Sequence, residues 1–270
     1  MTRAGLRYPI VTEPGYGDRV VRRVGMLAPI FCPVCGRVSA AFGFSDNLRE
    51  TGVCRRCGAQ NRNRQMALVA CRAVTELTGR RVRSLSALRS ADVRVYNTEA
   101  QGPLHEALRA MPGYRCSEYL GPRYAPGEQV GGVAHEDLAH LSFGDGSFDL
   151  VLSSDVFEHV PDPYAAHAEV RRVLGSGGHH VFTVPFHQHL HLDDVRARAR
   201  AFGDPVLLAD PIYHDDPVRP EGVLVYTIFG LEMLVRLAEI GFDTRMYRLW
   251  EPWYGIVGPN ALVFDAVKTP

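Results

Sequence analysis

LSFGDGSFDLVLSSDVFEHVPDPYAAHAEVRRVLGSGGHHVFTVPF, Leu141 to Phe186, is the stretch that decides the fold. Its FDLVLS run, Phe148–Ser153, is short and mainly apolar, as a buried strand covered on both faces is. A helix follows at Tyr164–Leu174, then LGSGG, which reads as a plain glycine-rich turn, then a second apolar strand at His179–Val184. Strand, helix and strand in that order form a parallel crossover unit. Ser153, Ser154 and Asp155 then stand at the carboxyl end of a strand, where open α/β sheets present their ligands.

Working outward, strands are predicted at Val93–Asn97, Tyr114–Tyr119 and, briefly, Gly132–His135. Helices are predicted at Pro103–Met111 and Thr227–Ile240, and Leu249 and Ala261–Val267 belong to strands that complete the sheet, the last suited to an edge or antiparallel position. Met66, Val69, Ala70, Ala73, Val74 and Leu77 recur at helical spacing within Gln60–Leu77. The fold class is α/β, a mostly parallel sheet with helices on both faces. Residues 186–222, rich in His, Asp and Pro, read as a functional lid inserted into that domain.

Ahead of it, CPVCG (Cys32–Gly36) and CRRCG (Cys54–Gly58) give the spacing C-x2-C-x18-C-x2-C. Two knuckles so spaced predict a four-thiolate zinc site of Cys32, Cys35, Cys54 and Cys57. Four sulfur ligands leave no open position, so its role is structural. Without a secretory signal, disulfides are the poorer reading and a cytoplasmic location the expected one. Cys71 and Cys116 read as small buried hydrophobes. The organisation expected is an arm at 1–29, a zinc ribbon at 30–60, a helical linker at 61–90 and the α/β domain at 91–270.

The formal net charge is zero, yet residues 1–90 carry 16 Arg against 5 acidic residues and residues 91–270 carry 14 basic against 25 acidic. A basic segment suggests either a phosphate-binding face, with Arg55, Arg56, Arg62 and Arg64 close together, or docking onto the chain's own acidic body; the second is the reading preferred. No apolar run is long enough to span a membrane.

Leu141–Phe186 closely resembles class I S-adenosylmethionine-dependent methyltransferases, which carry DGSFDLV, an EHV-x-DP phrase and an R-x-L-x-GG reversal at these places. The resemblance implies a Rossmann-like sheet and S-adenosylmethionine as cofactor. It implies Glu118 as acceptor for both ribose hydroxyls, and Asp137 with the Leu138 amide as the adenine contacts. Asn97, Glu99 and Gly102 in the first loop, with Ser153 and Ser154, border the rest of the cofactor. Glu158 and His159 take a structural hydrogen-bonding role. The first loop departs from the family: Thr98, Ala100 and Gln101 stand where permissive glycines are usual, which narrows the cleft. With no pyrophosphate to seat, one glycine suffices.

Methyl transfer needs an aligned acceptor and, for a hydroxyl or amine, a base. FHQHLHLDD, Phe186–Asp194, offers His187, His189 and His191, on one face if extended. Either His187 or His189 is the base with Asp155 across the cleft, or the histidines bind a divalent metal with Asp193 or His214, or they are lid residues without chemistry. A small polar acceptor, a sugar or a biosynthetic intermediate, is preferred. The alternatives are a metal-dependent enzyme on the same fold and a zinc-anchored non-catalytic or RNA-binding module that has lost its cofactor.

Overall fold

The computed structural model describes residues 25–200, 203–215, 219, 221–258 and 262–270. Most of the arm expected at 1–29 and the first residue of the predicted strand Ala261–Val267 lie outside them. The cysteine module is a small antiparallel sheet of β1 (Met26–Phe31), β2 (Val38–Phe42) and β3 (Val53–Cys54). Ile30, Ala41, Phe44 and Leu48 form a core too small to stand alone, and Val257 from the far end of the chain completes it.

Helix α1 (Asn61–Thr78) leaves this module and enters the main body. Six strands follow: β4 (Val95–Asn97), β5 (Tyr114–Cys116), β6 (Phe148–Ser154), β7 (Leu174–Thr183), β8 (Phe242–Arg248) and β9 (Leu262–Lys268). Their order is β8-β9-β7-β6-β4-β5. The four strands β7, β6, β4 and β5 pair in parallel, and β9 runs antiparallel to both β7 and β8. The order reverses between β4 and β6, so a crevice opens where their carboxyl ends part.

Alternation along each strand feeds two cores. Val95, Leu150, Leu152, Val181 and Val263 pack on one face with α1 and α2 (Gly102–Leu108). Tyr96, Val151, Phe182 and Phe264 pack on the other with α3 (Pro163–Val173) and α4 (Glu232–Ile240). Both faces are thus covered, which is why the centre of β6, Leu150–Leu152, is apolar without a break. Helix α1, expected as a linker, is itself a layer of this body. Its Arg64 is fully buried, donating to the carbonyls of Ala59 at 2.5 Å and Gly255 at 2.7 Å. Burial pushes the Arg64 guanidinium down to about 10, and the charges that oppose this are the sulfurs of Cys32, Cys54 and Cys57.

Two local readings change. The LGSGG run is the start of β7 rather than a turn: Leu174 pairs with Phe148, and the register slips before Leu150 meets His179. Glycine is needed because Gly177 has φ +71° and a Cβ on Gly178 would lie 2.9 Å from the Gly175 carbonyl. Helix α4 begins at Glu232, since Thr227 and Ile228 pair with Val195 and Asp194 instead. Among the described residues no helix is long and apolar enough to cross a membrane.

Candidate active site and cysteine cluster

The four cysteine sulfurs lie within 4.8 Å of one another, and Cys32 Sγ stands 3.7 Å from Cys57 Sγ. Zinc–sulfur bonds of about 2.3 Å place tetrahedral sulfur neighbours about 3.8 Å apart, so the spacing fits the ion. Each knuckle closes through its trailing glycine: the Gly36 amide donates to Cys32 O at 2.8 Å and the Gly58 amide to Cys54 O at 2.9 Å. Both glycines have positive φ, +69° and +74°. Without a cation the sulfurs cannot all ionise. Its hydrogen bond to Cys54 together with burial pushes the Cys32 thiol up to about 12, contact with Cys32 pushes Cys57 further up, and Cys54 is held down. A divalent ion relieves that conflict.

At the β4/β6 crevice, Asn97 ends β4 fully buried, its amide donating to Glu99 O at 2.8 Å and to the Tyr114 hydroxyl at 3.1 Å. Thr98 is buried as well, with its hydroxyl unpartnered. Glu118 faces the loop: its Oε1 accepts the Ala100 amide at 2.9 Å. Burial pushes the Glu99 carboxyl up to about 7 against the pull of Arg62, with Glu118 and Asp155 adding to the rise. Asn97, Glu99, Glu118 and Asp155 therefore share one neighbourhood. Gly102 opens α2 at φ +81° with nothing within 4 Å of a would-be Cβ, so it is required for its dihedral and not for space. Asp137 closes its own turn by accepting the Ala139 amide at 2.9 Å, and Leu138 is buried in the core beneath.

Ser153 turns inward to His180, 2.9 Å from its ring nitrogen, whereas Ser154 accepts from Arg62 at 2.7 Å. Asp155, at φ +53°, is held from three sides. Arg49 donates to both its oxygens at 2.6 and 2.7 Å, Arg62 at 2.6 Å and Thr183 at 2.9 Å. Burial works to raise the Asp155 carboxyl, but Arg62 and Arg49 outweigh it and hold it below the ordinary carboxylate range. Arg62 also pairs with Glu50 at 3.1 Å. These arginines come from the cysteine module and the first turn of α1, so at this point the basic segment docks on the acidic body. With Arg64 buried too, two of the four arginines of the supposed phosphate-binding face are turned inward.

The stretch 186–194 is not extended. Pro185 has no amide to donate, and beyond β7 the Leu190 amide bonds back to His187 O at 3.0 Å in a turn. His187, His189 and His191 are exposed, with His187 and His189 rings 5.3 Å apart. Asp193 is engaged elsewhere, accepting from the Tyr164 hydroxyl and the Gly230 amide. Among the described residues, ligating atoms converge at two places: the cysteines, and Glu158, His159 and His214. The metal reading of His187, His189 and His191 with Asp193 finds no such convergence. Arg49 and Glu50 went unread in the sequence, and Arg62 was read only as part of a basic face, although the charge asymmetry pointed to such contacts.

Residues 120–182 match the model of a family described as a methyltransferase domain. An uncharacterized methyltransferase of Mycobacterium sp. (strain KMS) is 44% identical over 72 residues, 24% of this chain and 29% of that protein. A sarcosine/dimethylglycine N-methyltransferase of Halorhodospira halochloris is 46% identical over 57 residues, 21% of this chain and 19% of that one. The chain thus spans less than a third of the length of these curated relatives. Among solved structures, an S-adenosylmethionine dependent methyltransferase from Mesorhizobium loti aligns with TM-score 0.42 and 18% identity, over 68% of this chain and 95% of that one. A Burkholderia thailandensis 1,6-didemethyltoxoflavin-N1-methyltransferase with bound S-adenosylhomocysteine gives TM-score 0.39 and 18% identity over 86% and 96%.

Proposed function

We propose that this chain, which carries a methyltransferase domain over residues 120–182, is an S-adenosylmethionine-dependent methyltransferase acting on a small polar acceptor, with a structural Zn²⁺ on Cys32, Cys35, Cys54 and Cys57. The observation that carries the reading is the turn of Glu118 onto the first loop at the crevice where strand order reverses. Carboxylates gathered there suit a ligand that is cationic at sulfur and at its amino group and that presents hydroxyl donors. The open space at Gly102 is compatible with it.

Bound there, S-adenosylmethionine would supply an activated methyl group on a sulfonium, with the neutral thioether as leaving group. Glu118 would receive the ribose hydroxyls, Asp137 the adenine amino group, and the Leu138 amide would serve the ring. Asn97, Glu99 and Gly102 with Ser154 would border the amino-acid end, whereas Ser153, turned inward to His180, is withdrawn from it. Asp155 acts through Arg49 and Arg62, fixing both guanidiniums at the rim; tied down and acidic, it is a poor base. His187 or His189 takes the acceptor proton. The inward arginines leave a weaker platform for nucleic acid, which favours a small acceptor. A reducing, cytoplasmic setting belongs to this reading, because the four thiols must stay reduced to hold an ion.

Calorimetric titration of the zinc-loaded chain with S-adenosylmethionine and S-adenosylhomocysteine tests it. Dissociation constants of about micromolar order are expected. No heat from either, with the chain folded, overturns the reading.

A further inference from the structure

Glu158 and His159 form the short 3-10 turn Phe157–His159 directly after β6, and His214 lies on a two-residue ladder, Tyr213–His214 with Val223–Leu224, inside the insertion. Their side chains meet although 55 positions separate His159 from His214. His159 Nε2 is 3.2 Å from His214 Nδ1, His214 Nδ1 is 3.5 Å from Glu158 Oε1, and His159 Nε2 is 3.8 Å from the same oxygen. Bonds of about 2.0–2.1 Å to nitrogen and oxygen put tetrahedral ligand atoms about 3.4 Å apart. The observed triangle is of that size.

Two details set these residues apart from a chance contact. Glu158 is wholly buried, and neither of its carboxylate oxygens takes a hydrogen bond of good geometry, a state that burial alone makes costly. His159 points its other ring nitrogen, Nδ1, at the Leu224 carbonyl, 2.9 Å away. That contact makes Nδ1 the protonated nitrogen and leaves Nε2 with a lone pair aimed into the triangle, the usual device for orienting a metal-bound imidazole.

We propose that Glu158 Oε1, His159 Nε2 and His214 Nδ1 form a three-ligand site for a divalent first-row transition ion such as Zn²⁺, separate from the cysteine cluster. Side-chain exposure rises from 0% at Glu158 through 15% at His159 to 39% at His214. The fourth coordination position therefore opens on the His214 side. An acceptor hydroxyl seated there would be made more acidic, its proton passing to the His187 or His189 base and its oxygen staying held for attack. That use rests on the methyl-transfer reading; the binding of the ion does not.

The full-length chain, stripped with a chelator and titrated with Co²⁺, gives a direct test. Two equivalents are expected, one with thiolate-to-cobalt charge transfer and one without. His159→Ala and His214→Gln should each abolish the second and spare the first. His214 is partly exposed, so its variant guards against loss of fold, checked by circular dichroism. One equivalent in the parent, or a second that persists in the His159→Ala/His214→Gln double variant, overturns the proposal. Two equivalents in a chain silent to S-adenosylmethionine would uphold the site and remove only the methyl-transfer reading.

Discussion

Arg62 Nη1 lies 2.6 Å from Asp155 Oδ2 across 93 positions of chain, tying the first turn of α1 to the end of β6. Both side chains keep only 19% of their surface exposed. A pair so desolvated is far more sensitive to loss of one partner than a surface pair. Arg62→Met should lower the unfolding free energy by about 2–3 kcal/mol in urea titrations. Because Asp155 is held below its unfolded value, its contribution is complete above that value and fades as pH falls through the lowered one. A Met variant as stable as the parent at pH 7 would show the contact to be idle.

Glu99 behaves in the opposite sense. Burial raises its carboxyl to about 7, so between pH ~4.3 and 7 the folded chain retains a proton that the unfolded chain has released. Stability therefore declines as pH rises through that window. Glu99→Gln should remove this slope, leaving stability near pH 4 little changed and raising it at pH 8 by about 3–4 kcal/mol. Urea midpoints at the two pH values decide the matter, and equal slopes for parent and variant would refute it.

For the cysteine cluster, Cys57→Ser should release the thiolate-bound ion and destabilise the chain by at least about 3 kcal/mol. Chelation of the parent should produce the same drop in melting temperature, and restored Zn²⁺ should reverse it only in the parent. An unchanged melting curve after complete metal removal would contradict a structural role.

Glu118→Ala should weaken S-adenosylmethionine at least tenfold, since hydrogen bonds to a charged acceptor are worth about 1.5–3 kcal/mol. Glu118→Gln, which retains one acceptor oxygen, should fall between. Equal affinities in calorimetry would move the ribose elsewhere.

Much of the sheet was readable because burial leaves a mark on short runs. Phe148–Ser154 was placed to within one residue, since covering both faces leaves Leu150, Val151 and Leu152 as an unbroken apolar centre. Phe242–Arg248 was missed: at the sheet edge it carries Asp243, Arg245 and Arg248, and the expected strand was set at Leu249 instead. In FHQHLHLDD an alternation suited to a strand was closed into a turn by Pro185 and the Leu190 amide, a tertiary outcome that periodicity does not encode. The cysteine cluster was legible because each half is local, and the sulfurs do converge. Arg49 with Asp155, 106 positions apart, and His159 with His214 were not, since their meeting depends on how modules dock.

Arg64 carries one last implication. Its guanidinium staples the end of the cysteine module to the Gly255 hairpin near the other terminus, and α1 roofs Leu150, Leu152, Val181 and Val263. The N-terminal segment is accordingly no detachable cassette. Excising everything before Asp92 should bare a greasy flank and yield aggregates in place of a trimmed catalyst.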